Sequence, residues 1–336
     1  MATLNEIITP QDLITFTNEL QTTDYLGETL FPSVKVPSFT FRDIRTGNRT
    51  PVAASVSAFD AEAEIASREG RMTDMELAYI KRKIRLSEEN LLMLKAPGFQ
   101  QQQQLAIRAI FNDTEAMVNS VKARIEAMRM EVLTTGKITL DENGIKTKVD
   151  YLMKKENQKE ADWSEEKADP IQSIMDWVLD ADVEPDVMLM NGLTAQNILN
   201  TEAVRKKFER SNIMPTLTGL NDYFTAAGLP TIKVYNKAYR KQLANGKYTK
   251  QRFVADGDIA LIPSGALGST VFGMTPEEAR LVTSGTLDSN AGNIYTMIYE
   301  SSQDPIATWT KASATAMPSF TEADNVIQAK VKFAKK

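Results

Sequence analysis

Two residue types are missing altogether: the chain has neither cysteine nor histidine among its 336 residues. The first absence excludes disulfides and thiol chemistry, and removes cysteine usage as a guide to compartment. The second removes the commonest general base and the commonest metal ligand, so any catalysis would rest on carboxylates and lysine. No apolar run approaches the ~18 residues that a membrane-crossing helix needs. The opening segment MATLNEIITPQDL also lacks the basic and apolar regions of a signal peptide. Such a chain is expected to be made and used in the cytoplasm. Its net charge of −5 argues against nucleic-acid affinity as the main business, because basic patches supply that attraction. What remains is an ordinary apolar and charged content, with enough length for one large or two modest domains.

The most informative stretch runs from Gln100 to Thr135, where there is neither proline nor glycine. Ile107, Phe111, Thr114, Val118, Val121, Ile125, Met128 and Val132 recur at intervals alternating between 4 and 3. That is one face of a helix, with Thr114 its only polar member. At 1.5 Å per residue the helix spans roughly 50 Å. Gly98 and Gly136 punctuate its ends. By itself the pattern fits an amphipathic helix or a coiled-coil strand, but strand signals on both sides favour a flat, extended subunit with a spine.

Residues 1–35 read as an arm. A short helix at Thr9–Glu19 has Thr9 as N-cap and Pro10 in the first turn. Beyond it, Tyr25, Leu26, Leu30 and Phe31 are apolar anchors that want a neighbour, or else pack on the arm's own domain. Residues 36–95 read as two extended limbs joined by a polar loop. Val34, Val36, Phe39, Phe41 and Ile44 suit the outgoing limb, with Pro37 forcing an edge or a break. Leu77, Tyr79, Ile84 and Leu86 suit the return. The loop between them has too few large apolar groups to bury and is expected to be mobile until a partner orders it. Lys81, Arg82, Lys83 and Arg85 on the return limb are expected to face Glu62, Glu64, Glu69 and Asp74 on the other. A long loop with oppositely charged limbs is a candidate interaction arm, or a solvated hairpin.

After the long helix, Ile138 and Leu140, then Asn143-Gly144, then Ile145, Val149 and Tyr151 give a hairpin signal. The charged run 153–169 reads as a surface connection, with Trp163 tucked into a pocket. From Asp169 the pattern alternates: helices near 170–179, 193–200, 201–210 and 217–227, and core strands at 187–191, 231–235 and 258–263. A hairpin is centred on Asn245-Gly246. This block is expected to form a small mixed sheet covered by helices. Two further strands, near 294–300 and 325–333, are expected beside the long helix and the 138–151 hairpin.

No stretch carries a catalytic or ligand-binding signature. Gly265-Ala-Leu-Gly268-Ser-Thr resembles a fragment of a phosphate loop but lacks its lysine and frame. Glu165/Glu166 and Glu277/Glu278 are sequence neighbours that suit solvated faces or helix N-termini better than an acid–base pair. Asp141, Glu142 and Asn143 are too short and wrongly spaced for a calcium loop. Met188 and Met190 suit core filling, and Gln100–Gln104 the first turn of the helix. No cofactor and no metal site is expected.

The order of arm, charged loop, spine helix, mixed domain and returning strands resembles the lambda-type major capsid proteins of tailed bacteriophages, the capsid E group. The resemblance is carried by GKITLDENGIKTKVDYLM, ADWSEEKADPIQSIMDWV, PDVMLMNGLTAQNIL, GLPTIKVYNKAY, DIALIPSGALGSTVFGMTPEEA, DPIATWTKASATAMP and VIQAKVKF. Together these stretches cover most of residues 95–336. The first hundred residues match only in architecture.

The resemblance implies an α+β protein with the Hong Kong 97-type phage capsid fold. Residues 1–35 would be the N-arm and 36–95 the extended loop (E-loop). Residues 96–169 and 291–336 would form the peripheral domain with spine helix 100–135, and 170–290 the axial domain. Such subunits gather into pentamers and hexamers that close as an icosahedral shell around the DNA genome, within a virion assembled in the host bacterial cytoplasm. The candidate inter-subunit contacts are Glu62, Glu64, Arg68, Glu69, Lys81, Arg82, Lys83 and Arg85. The implied partners are further copies of the chain, a portal protein, a decoration protein and non-specifically bound packaged DNA, with no membrane. No long helical segment precedes residue 35, so the scaffolding protein is expected as a separate chain. Two alternatives stay open here: an encapsulin-like compartment shell, and an enzyme with a carboxylate site in the 170–290 domain.

Overall fold

The computed structural model describes residues 8–20, 23–46, 70–86, 100–142, 144–165, 167–209, 215–243, 245–279, 287–301 and 307–334, with Ala54 and Leu92 as isolated positions. The middle of the charged loop, with Glu62, Glu64, Arg68 and Glu69, lies outside the described residues. The chain folds as two compact units. One comprises Met1–Arg42, Asp74–Glu126 and Thr270–Ser319, the other Asp43–Thr73, Ala127–Ser269 and Phe320–Lys336. The long helix and both limbs of the charged loop contribute to each unit.

The long helix is Gln100–Thr135. Its buried stripe follows the expected positions from Thr114 onward but is displaced at the N-terminal end. Ala106 and Ile110 are buried there, whereas Ile107 and Phe111 are half-buried. The buried Thr114 hydroxyl donates back to the carbonyl of Ile110 (2.9 Å), so the one polar member of the stripe needs no outside partner. From Ile125 to Met130 every residue is buried, Glu126 and Arg129 included. A single-face reading therefore fails for this half. Gly136 ends the helix at φ +67°, and an added Cβ would meet Met153 Cγ at 2.4 Å. Only glycine satisfies both the left-handed turn and that close approach.

In the first unit, the helix Pro10–Glu19 begins with a reciprocal cap. The Asp12 amide donates to Thr9 Oγ1 (3.2 Å), and the Thr9 amide donates to Asp12 Oδ2 (3.0 Å). Ile8 and Leu13 pack with Leu86, Ala106, Ile110 and Ile298 in one apolar cluster. Phe16 stacks on Phe111 with centroids 4.6 Å apart. Thr17 Oγ1 lies 2.6 Å from Ser289 Oγ. A short helix that carries no sequence signal, Leu26–Leu30, follows, with Leu30 and Phe31 buried. The Gly27 amide donates to Glu126 Oε1 (3.1 Å). The arm therefore buries Leu30 and Phe31 within its own unit and half-buries Tyr25 and Leu26, the second of the two outcomes that the sequence leaves open.

The sheet of this unit runs Ser33–Lys35, Ser269–Gly273, Ala307–Ser319, Ile294–Ser301 and Leu287–Ala291, with Ala78–Arg85 also paired to the 307–319 strand. That 13-residue strand, ATWTKASATAMPS, is almost wholly buried yet built mainly of small residues. Among the described residues, the limbs of the charged loop pair at Thr40–Thr46 and Gly70–Glu76.

The second unit is built on a mixed sheet in the order Gln158–Asp162, Ile327–Lys332, Asp258–Ile262, Val187–Met190 and Thr231–Val234. Residues 158–162 were expected within a surface connection. They instead pair in parallel with 328–332 through backbone bonds that demand no apolar side chain. The helices Pro170–Leu179, Gly192–Leu199, Glu202–Glu209 and Leu217–Ala226 bury Ile171, Ile174, Ile198, Val204, Leu220 and Phe224 against Met188, Met190, Ile259 and Leu261. Trp163 is buried as expected, stacked on Trp177 at 5.7 Å and edge-on to Phe333. The strands Lys137–Glu142 and Ile145–Asp150 form the expected hairpin. Gln328 Nε2 donates to the carbonyls of Val132 and Leu133 at 3.0 and 2.8 Å, at the end of the long helix, where Val132 also accepts from the Gly136 amide.

Candidate functional site

The described part of the candidate contact set lies on the strand Ala78–Arg85. Alternation along the strand puts Tyr79, Lys81, Lys83 and Arg85 on one face. The antiparallel register sets them opposite Thr315, Ser313, Lys311 and Trp309. Lys81, Lys83 and Arg85 are exposed and Arg82 is half-buried. Lys83 and Lys311 are like charges directly opposite, an arrangement that costs stability unless each is engaged elsewhere. Both are engaged. Lys83 Nζ sits 4.1 Å from the Trp309 ring centroid, and Lys311 is bound by Glu277. Lys81 Nζ lies over the Tyr79 ring at 5.0 Å.

The anticipated facing of Asp74 by this basic strand does not occur. Asp74 Oδ1 accepts from Arg42 Nε at 3.0 Å, across the 40–46 and 70–76 ribbon, while residues 78–85 turn away to join the 307–319 strand. Among the described residues, the structure thus brings the lysine-rich strand together with aromatic rings and Glu277. It does not bring it together with Asp74.

The anchor of this face was not visible in sequence. Glu277, in the first turn of Pro276–Ala279, accepts from Tyr79 Oη and Lys311 Nζ at Oε1, and from Ser313 Oγ (3.2 Å) at Oε2. Burial disfavours its charge, but the bonds from Lys311 and Tyr79 outweigh that and hold the carboxyl below its usual range. Burial, and next the bond to Glu277, push the Tyr79 hydroxyl well above the normal tyrosine range. Glu278 accepts from the Thr275 amide (2.9 Å) and from Lys35 Nζ (3.0 Å). The helix-terminus reading of this pair holds for Glu278, whereas Glu277 is a largely covered ionic anchor and not a solvated group. The partners of Glu277 lie 34 and 198 positions away, so no local spacing announced them.

A second covered ionic group lies in the other unit. Asp43 and Arg45 are both buried, with Arg45 Nε 3.6 Å from Asp43 Oδ2. The fully buried Tyr151 has its hydroxyl pushed up first by burial and then by the Asp43 charge. Neither cluster pairs a nucleophile with a base. Among the described residues no group of three or more Asp or Glu is placed to hold a metal ion. No described helix is long and apolar enough to cross a membrane.

Comparison with known proteins gives this arrangement a context. The family model described as phage major capsid protein E matches residues 9–331. Comparison with curated protein sequences finds no match. Among solved structures, a putative capsid protein of a prophage of E. coli CFT073 aligns over 96% of this chain and 98% of its own, with 17% identity and a TM-score of 0.61. A phage-related protein of Bordetella bronchiseptica RB50 aligns over 94% of each chain, with 10% identity and a TM-score of 0.49. The capsid of Myoviridae phage XM1 aligns over 94% of this chain and 95% of its own, with 11% identity and a TM-score of 0.46.

The mixed α+β architecture, with its long helix and its strands returning from distant parts of the chain, is the Hong Kong 97-type fold of shell-forming capsid subunits. Within that class, the chain belongs to the phage major capsid protein E family. Its function is to build the shell of a phage head, and the virion is its place of residence.

Proposed function

We propose that the chain assembles into pentamers and hexamers that close as an icosahedral shell around a DNA genome. In this reading a separate scaffolding protein guides assembly in the host cytoplasm, a portal protein occupies one vertex, and a decoration protein adds to the outside. The chain itself performs no catalysis. Residues 1–35 act as the N-arm, 36–95 as the extended loop, 96–169 with 291–336 as the peripheral domain, and 170–290 as the axial domain. The observation that carries the reading is the family match spanning residues 9–331.

The physical logic supports it. A subunit repeated many times needs heterologous contacts that close by symmetry. Charged groups such as Lys81, Lys83 and Arg85 provide individually weak contacts that form and break during correction. We place the contacts with neighbouring subunits at these residues and Arg82, together with Glu62, Glu64, Arg68 and Glu69. Negative-stain electron microscopy of the purified protein, with and without its scaffold, is the test. Rings or closed particles are expected in at least one condition, and monodisperse monomers in both would overturn the proposal.

A further inference from the structure

Between Lys237 and Arg252 the chain reads KAYRKQLANGKYTKQR: six basic residues and no acidic one, in a protein whose net charge is −5. The segment folds as an antiparallel ribbon of Ala238–Gln242 against Tyr248–Arg252. Arg240 lies opposite Lys250, Ala238 opposite Arg252, and Gln242 opposite Tyr248. Directly opposed residues share a face, so Arg240, Lys250, Arg252 and Tyr248 line one side of the ribbon. All four are exposed, as is Lys247 at the turn.

The other side anchors the ribbon to its unit. Tyr239 stacks on Phe253 at 5.1 Å, and Lys241 Nζ lies 2.7 Å from Glu142 Oε1. One face is thus fixed and its reverse is offered to the outside. On that offered face the Arg240 guanidinium lies over the Tyr248 ring at 5.2 Å, which orients it. Arg252 shares Asp256 with Asn191. Among the described residues, Arg240, Lys247 and Lys250 meet no acidic side chain. Arg240 and Lys250 repel each other across the ribbon, a cost that no acidic side chain among the described residues offsets and that a bound polyanion would reverse.

We propose that this ribbon face binds the phosphate backbone of duplex DNA, holding the packaged genome against the shell. The inference rests on the capsid reading and gives that reading a residue-level DNA contact. A two-stranded ribbon fits a major groove about 12 Å wide. Contacts from lysine and arginine to phosphate carry no sequence information, so the binding is expected to be sequence-independent. Exposed charge of one sign also attracts acidic polypeptides, so the experiment separates the two.

Unassembled full-length subunits are titrated onto a fluorescein-labelled duplex of mixed sequence, and anisotropy is followed across a series of salt concentrations. The triple variant Arg240→Gln, Lys247→Gln, Lys250→Gln should bind at least about tenfold more weakly at ~0.1 M salt, with a log–log salt slope shallower by roughly 3, one per lost phosphate contact. A comparison triple, Lys81→Gln, Lys83→Gln, Arg85→Gln, removes the same charge from the other unit and should change affinity by less than about twofold, because the proposal confines DNA contact to the ribbon face. Three results overturn the proposal: no binding by the wild type, equal losses in the two triples, or an unchanged ribbon triple. A fourth also does so, namely a ribbon triple that loses affinity for polyglutamate while keeping its affinity for DNA. Electron microscopy of the same preparations separates the two readings. Shells combined with unchanged DNA binding overturn the ribbon alone, whereas wild-type protein that never forms shells overturns the capsid reading.

Discussion

The two large sheets bury their strands by opposite means. In the second unit, Val187–Met190 and Asp258–Ile262 fill the space with methionine, leucine and isoleucine, and four helices close over them. In the first unit, the 307–319 strand is as deeply buried but offers alanine, serine and threonine at most positions. One sheet is held by the volume of its side chains. The other is held by close approach, with backbone pairing along the 307–319 strand and ionic anchors such as Glu277 at its face. Each should therefore break in its own way.

Leu261 in the first kind of sheet is fully buried. Leu261→Ala should cost about 2–5 kcal/mol, through lost transfer energy and the cavity left behind. In the second kind, shrinking is not available and enlargement does the damage. Ala314, also fully buried, replaced by leucine should cost about 1–3 kcal/mol from overpacking. Urea unfolding of unassembled subunits measures both, and a larger loss for the alanine site would reverse the contrast.

The ionic anchor gives a third effect, of the same order as the overpacking. Glu277→Gln should cost about 1–3 kcal/mol, because Lys311 and Tyr79 lose a charged acceptor in a largely covered place. The sign with pH follows from the depressed carboxyl. A group whose folded pKa is lowered contributes stability above its unfolded value, near 4.5, and loses it as pH falls through the folded value. The wild type and Glu277→Gln should therefore converge as pH falls below the ordinary carboxylate range, and a constant gap across the acid range would remove the anchor role. The smallest effect is expected at Lys83→Ala, which gives up one exposed cation–π contact worth roughly 0.5–1 kcal/mol.

This contrast also explains what the sequence announces. VMLMN and DIALIP are continuous apolar runs, and both are strands. ATWTKASATAMPS has no aliphatic pattern, and QKEAD has no large apolar residue at all, because both are fixed by backbone partners remote in the chain. The spine helix was legible from its spacing. Its all-round burial after Ile125 was not, since that depends on what surrounds it. Lysines on the return strand stood out as a run, but the Glu277 anchor beneath them arises only when positions 79, 277 and 311 converge. Likewise the basic character of residues 237–252 is plain in the sequence, whereas the sorting of Arg240, Lys250 and Arg252 onto one side follows from the hairpin register alone.

Gln328 and its strand carry a consequence for synthesis. The 327–332 strand comes last among the five of its sheet, yet it lies inside that sheet, between 158–162 and 258–262. Until it emerges from the ribosome, those two neighbours have no strand to join them, and the carbonyls of Val132 and Leu133 lack the amide that Gln328 supplies. Chains still being translated are therefore incomplete tiles.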